Sequence, residues 1–374
     1  MARPARLLVV LGTRPEAIKL FPVIRALRED VRFTVRVCNT GQHDGLVDSV
    51  LTLAGIEADH DLALMRPGQS LDALTAALLT GIGKVMDREA PDRVVVQGDT
   101  ATALAAALAA YHRRIPLDHV EAGLRSHDIY APWPEEGNRK LIAGISSRHF
   151  APTEAAAAAL RGEAVPASRV HVVGNTVIDA LQWVRAHCPT PADHAIEAGL
   201  RRFAGRRIIA VTSHRRESHG EGLKRIARAL GGIAARPDVA LIFPLHPNPA
   251  VRGVFERALC GFANVALIEP LDYPQFLRLL EAAHLVLTDS GGVQEEAPAL
   301  GTPVLVMRSV TERTEAVEAG TARLIGTDAD SIIAATLALL DDDQAHAAMS
   351  RAHHPFGDGR AAQRIVAILG EAAG

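Results

Sequence analysis

Residues 287–300 read LTDSGGVQEEAPAL: an apolar run, a turn of small residues, then a helical pattern opening on glycine. Ser290, Gly291 and Gly292 leave backbone N–H groups uncovered at a helix start, where unpaired donors and the positive end of the helix dipole favour an anion. Glu295 and Glu296 follow one turn inside. A carboxylate that close to a diphosphate must face away from it, and a ribose with two hydroxyl donors is what it would face. The segment points to a nucleoside diphosphate site.

Other chemistry-bearing residues also fall just after apolar runs. Gly12-Thr13-Arg14-Pro15-Glu16-Ala17-Ile18-Lys19 follows the first, with Pro15 where a helix can begin and Arg14 able to fork onto a diphosphate. The same residues would equally serve as a helix-start turn with solvated charges. Gln97-Gly98-Asp99-Thr100 places Asp99 beside a glycine, either at a ligand or as the cap of a helix opening near Ala101. Glu121, in HVEAGLRS, matches neither a cap nor an exposed strand. Glu135 and Glu136 follow the stiff Pro132-Trp133-Pro134 loop and would favour a helix dipole or transfer protons. His214 precedes two arginines and is placed to donate to a leaving phosphate, while His246 sits among prolines. Thr311 to Ala316 either opens a solvated helix or closes over a ligand.

The elements that must carry these residues alternate. Leu7 to Leu11, Phe33 to Cys38, Val94 to Val96 and Val170 to Val173 read as buried parallel strands, each followed by an alanine-rich amphipathic stretch. The pattern restarts at Ile208 to Val211 and continues through Leu241 to Phe243, Val265 to Leu267, Leu285 to Leu287 and Val304 to Val306. At 374 residues two domains are expected. The reading is an α/β protein with two doubly wound, Rossmann-like domains and an interdomain cleft. The boundaries are placed at 1–187 with 358–374 for the first domain, carrying the acids, and 188–357 for the second, carrying the nucleotide turn. In such sheets ligands sit beyond the carboxyl ends of the strands, where the candidate residues fall.

Bulk properties narrow the classes. A net charge of −3 without clustered positive charge argues against nucleic acid as a partner. The cysteines, Cys38, Cys188 and Cys260, are far apart, with neither disulfide-framework nor zinc spacing. No apolar run reaches the roughly 18 residues of a membrane span, so no membrane partner and a cytoplasmic location are expected. GxGxxG and GxxxxGK[ST] are both absent, which removes the dinucleotide fingerprint and the P-loop.

Taken in order, GTRPEAIK, GDT, HVEAGLRS, PWPEEGNR, GNTVIDAL, HRRES, HPNP, TDSGGVQEEAP, PVLVMR and TERTEAVEAGT resemble the non-hydrolysing UDP-N-acetylglucosamine 2-epimerase family over nearly the whole chain. The resemblance implies a glycosyltransferase B-like fold, a homodimer, a C-terminal helix packing back on the first domain, and interconversion of UDP-GlcNAc and UDP-ManNAc with no cofactor and no metal. It implies that Asp99, Glu121 and Glu135 are the acid/base set, with His214 assisting catalysis. Arg14, Lys19, His214 and Ser290, Gly291 and Gly292 would contact the diphosphate or sugar. Glu296 would hold the ribose, Phe276 would lie near the uracil, and Arg139 and Arg313 would steady the sugar. Ser213 departs from the glycine common before the histidine, and Leu271 from a polar residue near the base. For the activating second site that some members form near Gln42 and His43, Asp44-Gly45 and Pro67-Gly68-Gln69 lack the extra polar residues those members use. A glycosyltransferase, a hydrolysing relative and a nucleotide-sugar sensor share enough of these features to stay open as alternatives.

Overall fold

A computed structural model describes residues 3–41, 45–66, 68–189, 194–213, 220–246, 248–351 and 355–371. The chain forms two compact units, Met1–Trp183 with Phe356–Gly374, and Val184–Pro355. Each is built on its own parallel sheet.

The first unit holds β1 (Ala5–Leu11), β2 (Phe33–Asn39), β3 (His60–Asp61), β4 (Arg93–Gln97), β5 (Leu117–Val120), β6 (Arg148–Ala151) and β7 (Val170–Val172), in the order β3-β2-β1-β4-β5-β6-β7. The second holds β8 (Arg207–Thr212), β9 (Val239–Pro244), β10 (Val265–Ile268), β11 (Leu285–Thr288), β12 (Val304–Val306) and β13 (Ala322–Leu324), ordered β10-β9-β8-β11-β12-β13. Both orders are doubly wound. The chain reverses direction across the sheet between β1 and β4 in one unit and between β8 and β11 in the other, and such a switch opens a crevice at the strands' carboxyl ends.

Central strands read as unbroken apolar runs because helices cover both faces. Leu8 and Val10 pack with Val94, Val96 and the alanines of helix Ala101–His112, while Ile209, Val211 and Leu287 share a core with helix Glu221–Ala234. Three strands carry no such run and were not apparent in the sequence. β3 has two residues, β13 reads ARL, and β6 reads RHFA. In β6 a buried histidine, His149, lies in register with His119 of β5. The buried Asp118 of β5 is neutralised by a two-pronged ion pair with Arg93.

The last helix, Ala361–Glu371, packs against helix Arg14–Glu29 within the first unit. Its opening amides, those of Ala361 and Ala362, donate to Asp179 at 3.2 and 2.8 Å. A carboxylate there satisfies donors that a helix start would otherwise leave orphaned. Trp183 meets Phe21 edge-on with ring centroids 5.3 Å apart.

Candidate active site

In the first unit the site grows from the ends of β1, β4 and β5. Thr13 caps helix Arg14–Glu29 and Glu16 closes the capping box, which starts the helix immediately after the strand. Glu16 is fully buried and does more than cap. It accepts from the amides of Gly12 and Thr13 at 3.1 and 2.8 Å and from the Thr100 hydroxyl at 2.7 Å, tying the β1 turn to the β4 turn across the switch point. Burial pushes its carboxyl up from 4.5 to about 7, against those hydrogen bonds. Arg14 is half-buried at the first position of this helix, and Lys19, one turn on, is buried.

The β4 turn decides the role open to Asp99. The cap of helix Ala101–His112 is Thr100, whose hydroxyl accepts from the Ala103 amide. Asp99 is therefore released from capping. Its carboxylate receives Nε and Nη2 of Arg139 at 2.8 and 2.6 Å, and its carbonyl receives the Asn138 amide at 2.7 Å. Arg139 also donates to the buried Glu136 at 2.9 Å. The helix that follows the Pro-Trp-Pro loop, Glu135–Ile145, is thus fastened to Asp99, and Glu135 stands half-buried at its first position.

Glu121 follows β5 with a backbone φ of +61°, left-handed geometry that a side-chain-bearing residue adopts only at a cost. Its carboxylate pairs with the Lys19 ammonium and receives the side-chain amides of Gln97 and Asn175. It reaches toward Gly98, where a Cβ would stand 3.5 Å from Oε2. Beneath these acids lies His119, whose Nε2 is 2.7 Å from the Gly98 carbonyl. Burial lowers it to about 4 and its neighbour His149 to about 3, so both rings are neutral at pH 7.

In the second unit the ends of β8 and β11 are joined by hydroxyl and carboxylate contacts. Thr212 bonds Thr288 at 2.6 Å and Ser213 donates to Asp289 at 3.1 Å. The Ser290 amide is taken by Thr288 Oγ1 at 2.9 Å, so this N–H of the turn is engaged internally, which the sequence did not foretell. The two glutamates separate as well. Glu295 is buried against Arg313 Nε at 2.8 Å, whereas Glu296 folds back so that a Cβ on Gly292 would lie 3.9 Å from its carboxylate. Arg313 also pairs with Glu312, which in turn binds Arg308 at 3.2 Å. The Arg313 guanidinium lies directly over Gly291, 2.9 Å from where a Cβ would be. Phe276 is half-buried on helix Tyr273–Ala282. His214 lies outside the described residues, as do Gln42 and His43.

Among the described residues no group of three or more histidine, cysteine, aspartate or glutamate side chains is arranged to hold a metal. No helix among them is long and apolar enough to cross a membrane.

Residues 25–370 match the family model described as UDP-N-acetylglucosamine 2-epimerase. The chain belongs to the UDP-N-acetylglucosamine 2-epimerase family. Its members include the UDP-N-acetylglucosamine 2-epimerase of Yersinia pestis, to which it is 50% identical over 97% of this chain and 98% of that protein. The enzyme of the same name from Salmonella typhimurium is 49% identical with the same coverage. The crystal structure of UDP-GlcNAc 2-epimerase from Neisseria meningitidis bound to UDP-GlcNAc superposes with a TM-score of 0.92 at 42% identity, covering 97% of this chain and 99% of that one. As in these UDP-N-acetylglucosamine 2-epimerases, the fold is α/β with two Rossmann-like units, and the chain is an enzyme of this family.

Three further residues, Glu16, Gln97 and Asn175, join the candidate site through their contacts. Glu16 was readable, since Thr13-x-x-Glu16 is a capping-box spacing. Gln97 and Asn175 carry no charge and no local signature, and only their approach to Glu121 reveals them.

Proposed function

We propose that the chain interconverts UDP-GlcNAc and UDP-ManNAc by eliminating UDP to leave 2-acetamidoglucal and adding it back after a proton has returned to the opposite face. The hydrogen at carbon 2 has no adjacent carbonyl to stabilise a carbanion, so departure of the nucleotide must accompany its loss. Atoms balance: the carbon 1–oxygen bond breaks with its electrons passing to UDP, the carbon 2–hydrogen pair forms the double bond, and a carboxylate takes the proton.

The observation that carries this reading is the pairing of Asp99 with Arg139 and of Glu121 with Lys19 at neighbouring strand ends. Two carboxylates held by cations at a topological switch point can exchange protons with a bound sugar. Asp99, Glu121 and Glu135 form the acid/base set in this proposal. Arg14, His214, the amides of Gly291 and Gly292 and the Ser290 hydroxyl receive the departing diphosphate, one well-placed donor being worth about a hundredfold or more in rate. Glu296 takes the ribose and Phe276 the uracil side. Arg139 and Arg313 steady the sugar in this proposal, and their contacts order Asp99 and the Gly291 turn. The proposed division is into 1–187 with 358–374, which carries the acids, and 188–357, which carries the nucleotide turn. The proposal extends to a cytoplasmic homodimer supplying precursors of envelope polysaccharide.

Incubation with UDP-GlcNAc alone in deuterated buffer tests it. NMR is expected to show UDP-ManNAc accumulating and deuterium entering carbon 2 of both epimers. Full retention of the original hydrogen would eliminate the glucal path, free N-acetylmannosamine would mark a hydrolase, and no change without an added acceptor would mark a transferase.

A further inference from the structure

We infer that Asn175 and Gln97 are positioning residues that hold Glu121 in place as a carboxylate, making it the group that accepts the carbon 2 proton when UDP-GlcNAc is the substrate. The inference rests on the reading of Glu121 as a proton-transfer group.

The geometry of Asn175 decides its orientation. Its Oδ1 accepts the Val177 amide at 3.1 Å, so its Nδ2 must be the atom turned to Glu121, at 2.9 Å from Oε1. An amide fixed in this way can only donate, and only an oxygen bearing lone pairs can answer it. Gln97 turns its Nε2 to the other oxygen, Oε2, and the Lys19 ammonium meets Oε1. Three donors from three elements thus converge on one carboxyl group: from helix Arg14–Glu29, from the end of β4, and from the residue preceding helix Thr176–His187. Each favours the ionised form. The buried His119 feels the charges of Glu121, Asp99 and Arg125 and is neutral at pH 7. Asn175 is itself rigid: its backbone amide donates to the Phe356 carbonyl at 2.6 Å. The left-handed backbone of Glu121 and the two amides around it share one result, a carboxylate aimed and ionised before substrate arrives.

Asn175→Asp is the decisive variant. It preserves shape, and its Oδ1 still accepts the Val177 amide, but it replaces a donor with a second carboxylate, so the pair must share a proton. Carbon-13 NMR of labelled glutamate carboxyls, with Glu121 identified by its loss in Glu121→Gln, is expected to show Glu121 ionised throughout pH 5–8 in the unmodified enzyme. In Asn175→Asp its midpoint is expected to rise by about three pH units, so that it titrates inside that range. The kcat of the variant is expected to fall about tenfold between pH 8 and pH 6, relative to the unmodified enzyme, with KM within about twofold. Superimposable titrations, or a loss of kcat that is the same at every pH, would overturn the inference. Should Asn175→Asp fail to fold, Gln97→Glu presents a carboxylate to Oε2 and is read by the same criteria. The NMR arm does not depend on turnover, so an enzyme that failed to epimerise would defeat the proposed function while the titration still decided the role of Asn175.

Discussion

Glu16 shows how one side chain can serve folding and chemistry together. It closes a capping box, clamps the β1 turn beside Arg14, and receives the hydroxyl of Thr100, the neighbour of Asp99. Its burial has a thermodynamic consequence. A carboxyl raised from 4.5 to about 7 binds its proton more tightly in the folded chain than in the unfolded one. That contribution is complete below about 4.5 and is lost as pH rises through about 7, a change on the order of 3 kcal/mol between pH 5 and 8. Glu16→Gln cannot titrate. Urea unfolding at pH 5.5 and 8 is expected to show a smaller fall in stability for Glu16→Gln than for the unmodified enzyme, and equal falls would assign the pH dependence elsewhere.

Among the elements, the turn between β11 and helix Val293–Ala299 depends on a partner remote in sequence. Arg313 lies over Gly291 and is pinned by Glu295 and Glu312, with Arg308 completing a buried set of alternating charges. An arginine free at its tip could swing away from an added methyl group; one held by two buried carboxylates can do so only by breaking those pairs. Gly291→Ala is therefore expected to destabilise the enzyme by about 1–3 kcal/mol and to weaken UDP binding. Thermal unfolding and calorimetric titration with UDP check both. An alanine variant of unchanged stability and affinity would mean that the guanidinium is not a rigid wall. The same logic explains β5 and β6, where charged and imidazole side chains sit inside a sheet because Arg93 neutralises Asp118 and burial keeps His119 and His149 uncharged.

For the whole molecule, the chemistry divides between two units, each with its own core and its own topological switch point. In the proposed function the acids belong to the first and the nucleotide turn to the second, so UDP and the sugar should report on different parts of the chain. With UDP at about a hundred times its Kd, hydrogen exchange is expected to slow in peptides spanning 288–297, approaching the ~2.7 kcal/mol that mass action allows. Firm binding of UDP without protection there would move the nucleotide away from this turn.

The sequence by itself determined the α/β alternation, because strands buried on both faces must be continuous apolar runs, and it marked the turns where chemistry can gather, because glycine, proline and capping residues are local requirements. Asp99, Glu121, Glu135 and the Ser290 turn were legible as candidates for that reason. What surrounds them was decided only in three dimensions. Thr100 rather than Asp99 caps its helix, and Glu16 reaches a hydroxyl 84 positions away. Arg139 finds Asp99 over 40 positions, and Asn175 meets Glu121 over 54. Residue type and spacing encode what a backbone can do over a few residues. Which neutral amide turns toward which carboxylate follows from strand order, since a parallel doubly wound sheet brings the ends of distant strands side by side.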